Sequence, residues 1–183
     1  MTRYKDKYRV ESTRLPGWDY RTAGWYFITI CTHLKAPYFG RVVDYEMRLS
    51  PIGRIACQYV AEIPQHARLT VIDAFVVMPN HVHVILGITE SAADEVTAVE
   101  TLQCNVSTRM SAISPKSGSV SVIIRSYKSA VSRWCHQHSY DDFAWQPRFH
   151  DHIIRNQDSL ERIQAYVQNN PAKWQEDCYF VPS

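Results

Sequence analysis

His81 and His83 stand one residue apart in the run from Ile72 to Gly87, IDAFVVMPNHVHVILG. On an extended chain alternate side chains share a face, so the two imidazoles project together while Val82, Val84 and Leu86 point the other way. A pair held like this can give two nitrogen ligands to a divalent metal when the fold brings up a third. Two half-buried histidines bonded to backbone make the same pattern, so the pair alone leaves both readings open. A second polar cluster, His150, Asp151 and His152, also offers ligands, although the nearby Pro147 suits a surface strand or a supporting role behind a site better. Tyr166 and Asn170 are i and i+4, so a regular last turn would carry a phenol and an amide oxygen toward one place. Tyr166 also falls on an apolar stripe, where a core tyrosine is the ordinary outcome.

These residues need elements to hold them. The apolar runs on either side of Met78-Pro79-Asn80 predict strands over 72–77 and 82–88, and so short a connection allows only antiparallel pairing. WYFITICT, from Trp25 to Thr32, predicts an earlier strand, and Val42 to Leu49 a second one at an edge, because charges interrupt it. Ser50 as cap and Pro51 at the first helical position open a helix whose stripe is Ile52, Ile55, Ala56, Tyr59, Val60 and Ile63, ending before Pro64. From Ser121 a second amphipathic helix carries Arg125, Lys128 and Arg133, which could follow a phosphate backbone or form a solvated face. A short strand is predicted after Pro147. Asp158 then caps a last helix with Leu160, Ile163, Tyr166 and Val167 as its stripe, stopped by Pro171 near Asn169 or Asn170.

At 183 residues the chain suits one domain, spanning 1–183, with a basic irregular arm over 1–22 and a Ser-rich insertion over 89–119 that lacks periodicity. The net charge of +2 hides an uneven distribution. Residues 1–54 hold ten Lys and Arg against five Asp and Glu, whereas residues 55–100 hold one against six. The basic beginning, with Tyr4, Tyr8, Trp18, Tyr20, Trp25 and Tyr26, fits a surface that neutralises phosphates and stacks bases, or equally a solvated arm beside core aromatics. No stretch approaches the roughly 20 apolar residues of a membrane span, and the start lacks the apolar core of a signal peptide, so a cytoplasmic protein is expected. Five scattered cysteines with no C-x-x-C suggest buried thiols rather than a disulfide framework or a zinc ribbon.

Three stretches together resemble one family: MPNHVHVIL at 78–86, RSYKSAVSRW at 125–134, and WQPRFHDHIIRNQDSLERIQAYVQNNPAKW at 145–174. The sequence resembles the REP-associated tyrosine transposases, single-tyrosine HUH transposases that act on the ends of small insertion sequences and on repetitive extragenic palindromes. The combination M-P-N-H-V-H with a later Y-x-x-x-N-P-x-K-W carries most of the specificity. The likeness extends to the strand at 25–32 and to Pro51-Ile52-Gly53, but not to 89–119.

That resemblance implies an α+β, ferredoxin-like fold: an antiparallel sheet of four or five strands with helices on one face, in the order β, β, α, β, β, α, β, α. It implies His81 and His83 as ligands of Mg2+ or Mn2+, Asn170 as the third ligand, and Tyr166 as a nucleophile forming a 5′-phosphotyrosine bond with single-stranded DNA beside a hairpin. His150 and His152 become candidates for proton transfer. Arg14 and Arg21 of the arm, with Arg125, Lys128 and Arg133, become candidates for holding the DNA, in a monomer or homodimer. Two rivals remain. One is a domesticated, non-catalytic hairpin binder. The other is a histidine-triad nucleotide hydrolase, whose H-x-H-x-H motif has Ile85 here in its third position.

Overall fold

In the computed structural model, the described residues are 3–4, 8–9, 18–89 and 118–181. The predicted insertion and most of the basic arm therefore lie outside the described residues. Two short strands, β1 (Arg3–Tyr4) and β2 (Tyr8–Arg9), pair with each other. The main sheet consists of β3 (Gly24–Cys31), β6 (Thr70–Val77), β7 (His81–Ile88) and β8 (His150–Ile154) in the order β6-β7-β3-β8, every pair antiparallel. β4 (Gly40–Val43), β5 (Glu46–Leu49) and α1 (Pro51–His66) come between β3 and β6, α2 (Val120–Gln137) between β7 and β8, and α3 (Gln157–Asn169) after β8.

The single edge strand expected over 42–49 is instead a hairpin forming its own two-stranded sheet. Asp44 and Tyr45 adopt left-handed backbone, with φ of 52° and 64°, and two such residues in succession reverse a chain with the twist that flanking strands need. Ser50 caps α1 as expected, its Oγ accepting from the Gly53 N–H at 3.0 Å. The helix nevertheless runs through Pro64 to His66. A proline there removes one donor in the last turn, and the backbone still closes from Ala67 N–H to Ile63 O at 2.9 Å. For α3 the cap is Asn156 rather than Asp158, with Asn156 Oδ1 accepting from Ser159 N at 2.8 Å.

Strand alternation divides the interior into two cores. Tyr26, Ile28 and Ile30 of β3 and Val82, Val84 and Leu86 of β7 face α1 and α2, meeting Ala56, Val60, Ile123, Ile124 and Val131. Each of these buried aliphatic side chains contributes roughly 1.5–3 kcal/mol relative to exposure. Ile85 and Ile154 point to the opposite face, where Leu160 and Val167 of α3 cover them beside Phe27 and Ile163. Helices thus lie on both faces of the sheet, correcting the one-sided expectation. The physical reason is β7 itself, which is buried along its whole length between β6 and β3 and needs cover on both sides.

Close approaches tie the outer elements down. A Cβ on Gly53 would lie 2.1 Å from the Phe39 carbonyl oxygen, so α1 can seat on the β4–β5 entry only with glycine there. Tyr127 Oη donates to the Ala56 carbonyl at 3.2 Å and links α2 to α1. No helix among the described residues is long and apolar enough to cross a membrane.

Candidate active site

The face of the sheet under α3 collects the polar residues. His81 and His83 open β7, paired with Cys31 and Thr29 of β3, and their ring centroids are 4.4 Å apart. Both are buried. Each ring is held through Nδ1: His81 Nδ1 lies 2.9 Å from Asn80 Oδ1, and His83 Nδ1 lies 2.9 Å from Thr29 Oγ1. Both Nε2 atoms remain for the site, and that of His81 is buried with no hydrogen-bond partner. Burial pushes the pKa of His81 down to about 3, aided by the neighbouring His83, and burial pushes His83 down to about 4. The rings are therefore neutral, as metal ligands must be.

Tyr166 reaches this place from α3. Its ring sits edge-on to Phe27 at 6.1 Å, and its hydroxyl lies 3.2 Å from His83 Nε2. At 41% exposure it borders the apolar stripe rather than filling the core, so solvent reaches the residue. The chain then turns back through a short 3-10 turn at Trp174–Glu176 and delivers a residue that the sequence reading missed, Asp177. Its Oδ2 accepts from Tyr166 Oη at 3.1 Å and from Asn170 Nδ2 at 2.8 Å, while Oδ1 accepts from the Tyr179 N–H at 2.7 Å. Burial raises the carboxyl pKa, but these donors and the nearby His81 outweigh it and hold the group below its ordinary value. Burial and the Asp177 carboxylate together push the Tyr166 phenol above its usual range. Tyr179, whose ring lies over His81 at 4.6 Å, is pushed up to about 12 mainly by burial.

The donor set fits a divalent cation. Ligand atoms of His81, His83 and Asp177 all lie within 4.8 Å of one another. Asn170 is buried beside them, and its Oδ1, like His81 Nε2, has no donor. Buried acceptors without partners are costly unless something positive satisfies them. Asn170 thus stands where the third ligand was expected, but Asp177 adds the carboxylate that a hard cation prefers.

The remaining candidates divide. His150 and His152 are exposed on β8, in register with Thr29 and Phe27, so they sit on the same face two strands away from β7. The atoms on the Tyr166 hydroxyl are Asp177 Oδ2, which accepts its hydrogen, and His83 Nε2 at 3.2 Å. Lys128 is not a free phosphate contact. Its ammonium donates to the Gln146 and Arg148 carbonyls at 2.7 and 3.0 Å and clips α2 to the chain before β8, and burial lowers its pKa. Arg125 and Arg133 are exposed and line a groove with Arg68 and His66 between α1 and α2, on the sheet face opposite the histidines. Arg21 pairs with Asp19, its Nε donating at 3.0 Å, and Arg14 lies outside the described residues. Tyr20 and Tyr26 belong to the core, so they are not stacking surfaces for bases. The histidine-triad alternative fails on Ile85, which is buried in the core under α3.

Neutral buried histidines make acid destabilising in the metal-free protein. The unfolded chain takes protons on these rings as pH falls through about 6.5, but the folded chain does so only near about 4 and about 3. Their contribution is complete above about pH 6.5 and shrinks below it, by roughly 2 kcal/mol per ring at pH 5. A thermal melt in EDTA is expected to have a Tm about 10 °C lower at pH 5 than at pH 7.5. A flat profile would mean that the rings are solvated.

No family model matches this sequence. By structure, the chain superposes with a TM-score of 0.58 on a solved REP-associated tyrosine transposase bound to a REP hairpin, over 91% of this chain and 74% of that one, at 19% identity. The α+β fold with a four-stranded antiparallel sheet and three helices is therefore the fold of that class. By sequence, it is 34% identical over 174 residues to an uncharacterized protein of Haemophilus influenzae, spanning 93% of this chain and 92% of that protein. The chain belongs to the family of that Haemophilus influenzae protein.

Proposed function

We propose that this protein is a transposase-type DNA endonuclease and strand transferase that cuts single-stranded DNA beside a hairpin through a 5′-phosphotyrosine link. The observation that carries this reading is the Tyr166 hydroxyl, on a residue 41% exposed, lying 3.1 Å from Asp177 Oδ2 and 3.2 Å from His83 Nε2. In the reaction the Tyr166 oxygen attacks phosphorus, a Tyr O–P bond forms, and the P–O3′ bond breaks, leaving a 3′-hydroxyl once a proton is supplied. Because the phosphoester is conserved, another 3′-hydroxyl can later reverse the step. The phenol is protonated at neutral pH, and Asp177 Oδ2 is the acceptor placed to receive its proton. His81, His83, Asp177 and Asn170 would hold the metal, and two imidazoles favour Mn2+ over Mg2+. When bound, that ion supplies positive charge against the phosphate oxygens.

Tyr26 and Lys128 serve the fold in this reading, so DNA contacts fall to Arg125, Arg133 and exposed residues around Tyr166, with His150 and His152 on the site's own face. Support for a hairpin substrate comes from the structural likeness, since the solved relative in fold was bound to one. Incubation with labelled hairpin oligonucleotides carrying single-stranded flanks and Mn2+ is expected to give an SDS-resistant protein–DNA adduct. Hairpin binding with no adduct under any metal would leave the non-catalytic binder as the function.

A further inference from the structure

We propose that Asn80 is a positioning residue that fixes the tautomer of His81 and ties that ring to the C-terminal turn. The inference rests on the metal-site reading above but draws on separate atoms. Asn80 is buried, and its Nδ2 donates to two backbone carbonyls, Lys35 O at 3.2 Å and Tyr179 O at 2.8 Å. Carbonyls only accept, so the amide nitrogen must face them, and Oδ1 must face His81 Nδ1 at 2.9 Å. An amide oxygen also only accepts. His81 therefore carries its hydrogen on Nδ1 and presents the lone pair of Nε2, the buried atom with no donor, to the site.

The side chain has little freedom to do otherwise. The Asn80 carbonyl takes the Thr32 N–H and Thr32 Oγ1, each at 2.9 Å, so the turn before β7 is clamped from behind. His83 is held differently: Thr29 Oγ1 can donate or accept, so that contact leaves its tautomer free to follow the Tyr166 hydroxyl. Of the two histidines, only His81 has its proton placed by a group with one hydrogen-bonding role. The Tyr179 carbonyl that orients Asn80 follows Asp177 by two residues, so one turn of chain both supplies a carboxylate and sets the ring opposite it.

The test compares wild type, Asn80→Asp and Asn80→Ala, each confirmed folded by circular dichroism. Long-range 1H–15N spectra of the metal-free protein report the tautomer directly. Wild type is expected to show His81 with a protonated Nδ1 and an unprotonated Nε2. Asn80→Asp keeps an oxygen acceptor for the Nδ1 hydrogen and should keep that tautomer, although it loses both donations to the Lys35 and Tyr179 carbonyls and with them the tie to the C-terminal turn. Asn80→Ala loses the acceptor, so Nε2 becomes protonated in part of the population and Mn2+ affinity falls about 10–100-fold. A wild-type His81 protonated on Nε2 overturns the proposal, as does an Asn80→Asp protein whose His81 shows the same mixed tautomer as Asn80→Ala. Wild type that shows the expected tautomer but binds no Mn2+ upholds Asn80's hold on the ring and overturns the metal reading instead. If Asn80→Ala does not fold, the wild-type spectrum and Asn80→Asp still decide.

Discussion

A Tyr166→Phe protein is expected to form no covalent adduct with a hairpin substrate that wild type captures, while binding that hairpin within about twofold of wild-type affinity. The substitution removes the oxygen proposed to form the new bond and leaves the ring that packs edge-on against Phe27. Stability should change by only about 1 kcal/mol, because Tyr166 is 41% exposed and Asp177 keeps its bonds to Asn170 and to the Tyr179 N–H. The readout is a denaturing gel of labelled oligonucleotide with Mn2+, beside a binding curve on the same DNA. An adduct that survives would move the nucleophile elsewhere. Tyr179 would then be the next residue to test, since its ring lies 4.6 Å from that of His81.

Replacing Asp177 by Asn should be nearly as damaging. The change keeps the shape but removes the negative charge from the proposed cation site and the carboxylate acceptor that Tyr166 Oη donates to. Mn2+ affinity, followed by electron paramagnetic resonance, is expected to fall roughly 10²-fold, and adduct formation by about 10²–10³-fold. Three donors converge on the native carboxylate, from Tyr166, Asn170 and Tyr179. An amide cannot accept from all of them through its nitrogen, so about 1–3 kcal/mol of stability should go as well. Metal affinity and rate within twofold of wild type would reduce Asp177 to a tether for the C-terminal turn, with Asn170 as the oxygen ligand.

The two predictions differ in how far the sequence could have led to them. Tyr166 was legible because helix periodicity placed it with Asn170, and the family resemblance attached a role to it. Asp177 was not, because it lies past Pro171 in a stretch with no periodicity, and nothing in WQEDCYF marks one acid over its neighbours. Only the reversal of the chain at Trp174–Glu176 brings it to the histidines. Lys128 shows the converse error: basic residues on an amphipathic helix read alike in sequence, but two backbone carbonyls hold this one.

By itself the sequence determined what depends on local period and punctuation. The alternation in H-V-H-V puts two imidazoles on one side of a strand, Pro79-Asn80 forces an antiparallel neighbour, Ser50-Pro51 starts a helix, and the i, i+4 spacing orients Tyr166. The continuous apolar run of β7 even carried the signal that both its faces are covered, although the resemblance pointed to helices on one. What only the tertiary structure decided is what depends on distant segments meeting: α3 on the opposite face from α1 and α2, Asp177 against Tyr166, and Asn80 turned by carbonyls 45 and 99 residues away in sequence. The physical reason is range. Side-chain direction along a strand or helix follows from backbone geometry within a few residues, whereas the charge, hydrogen bonds and buried acceptors of this site arise only when β7, α3 and the C-terminal turn enclose the same small volume.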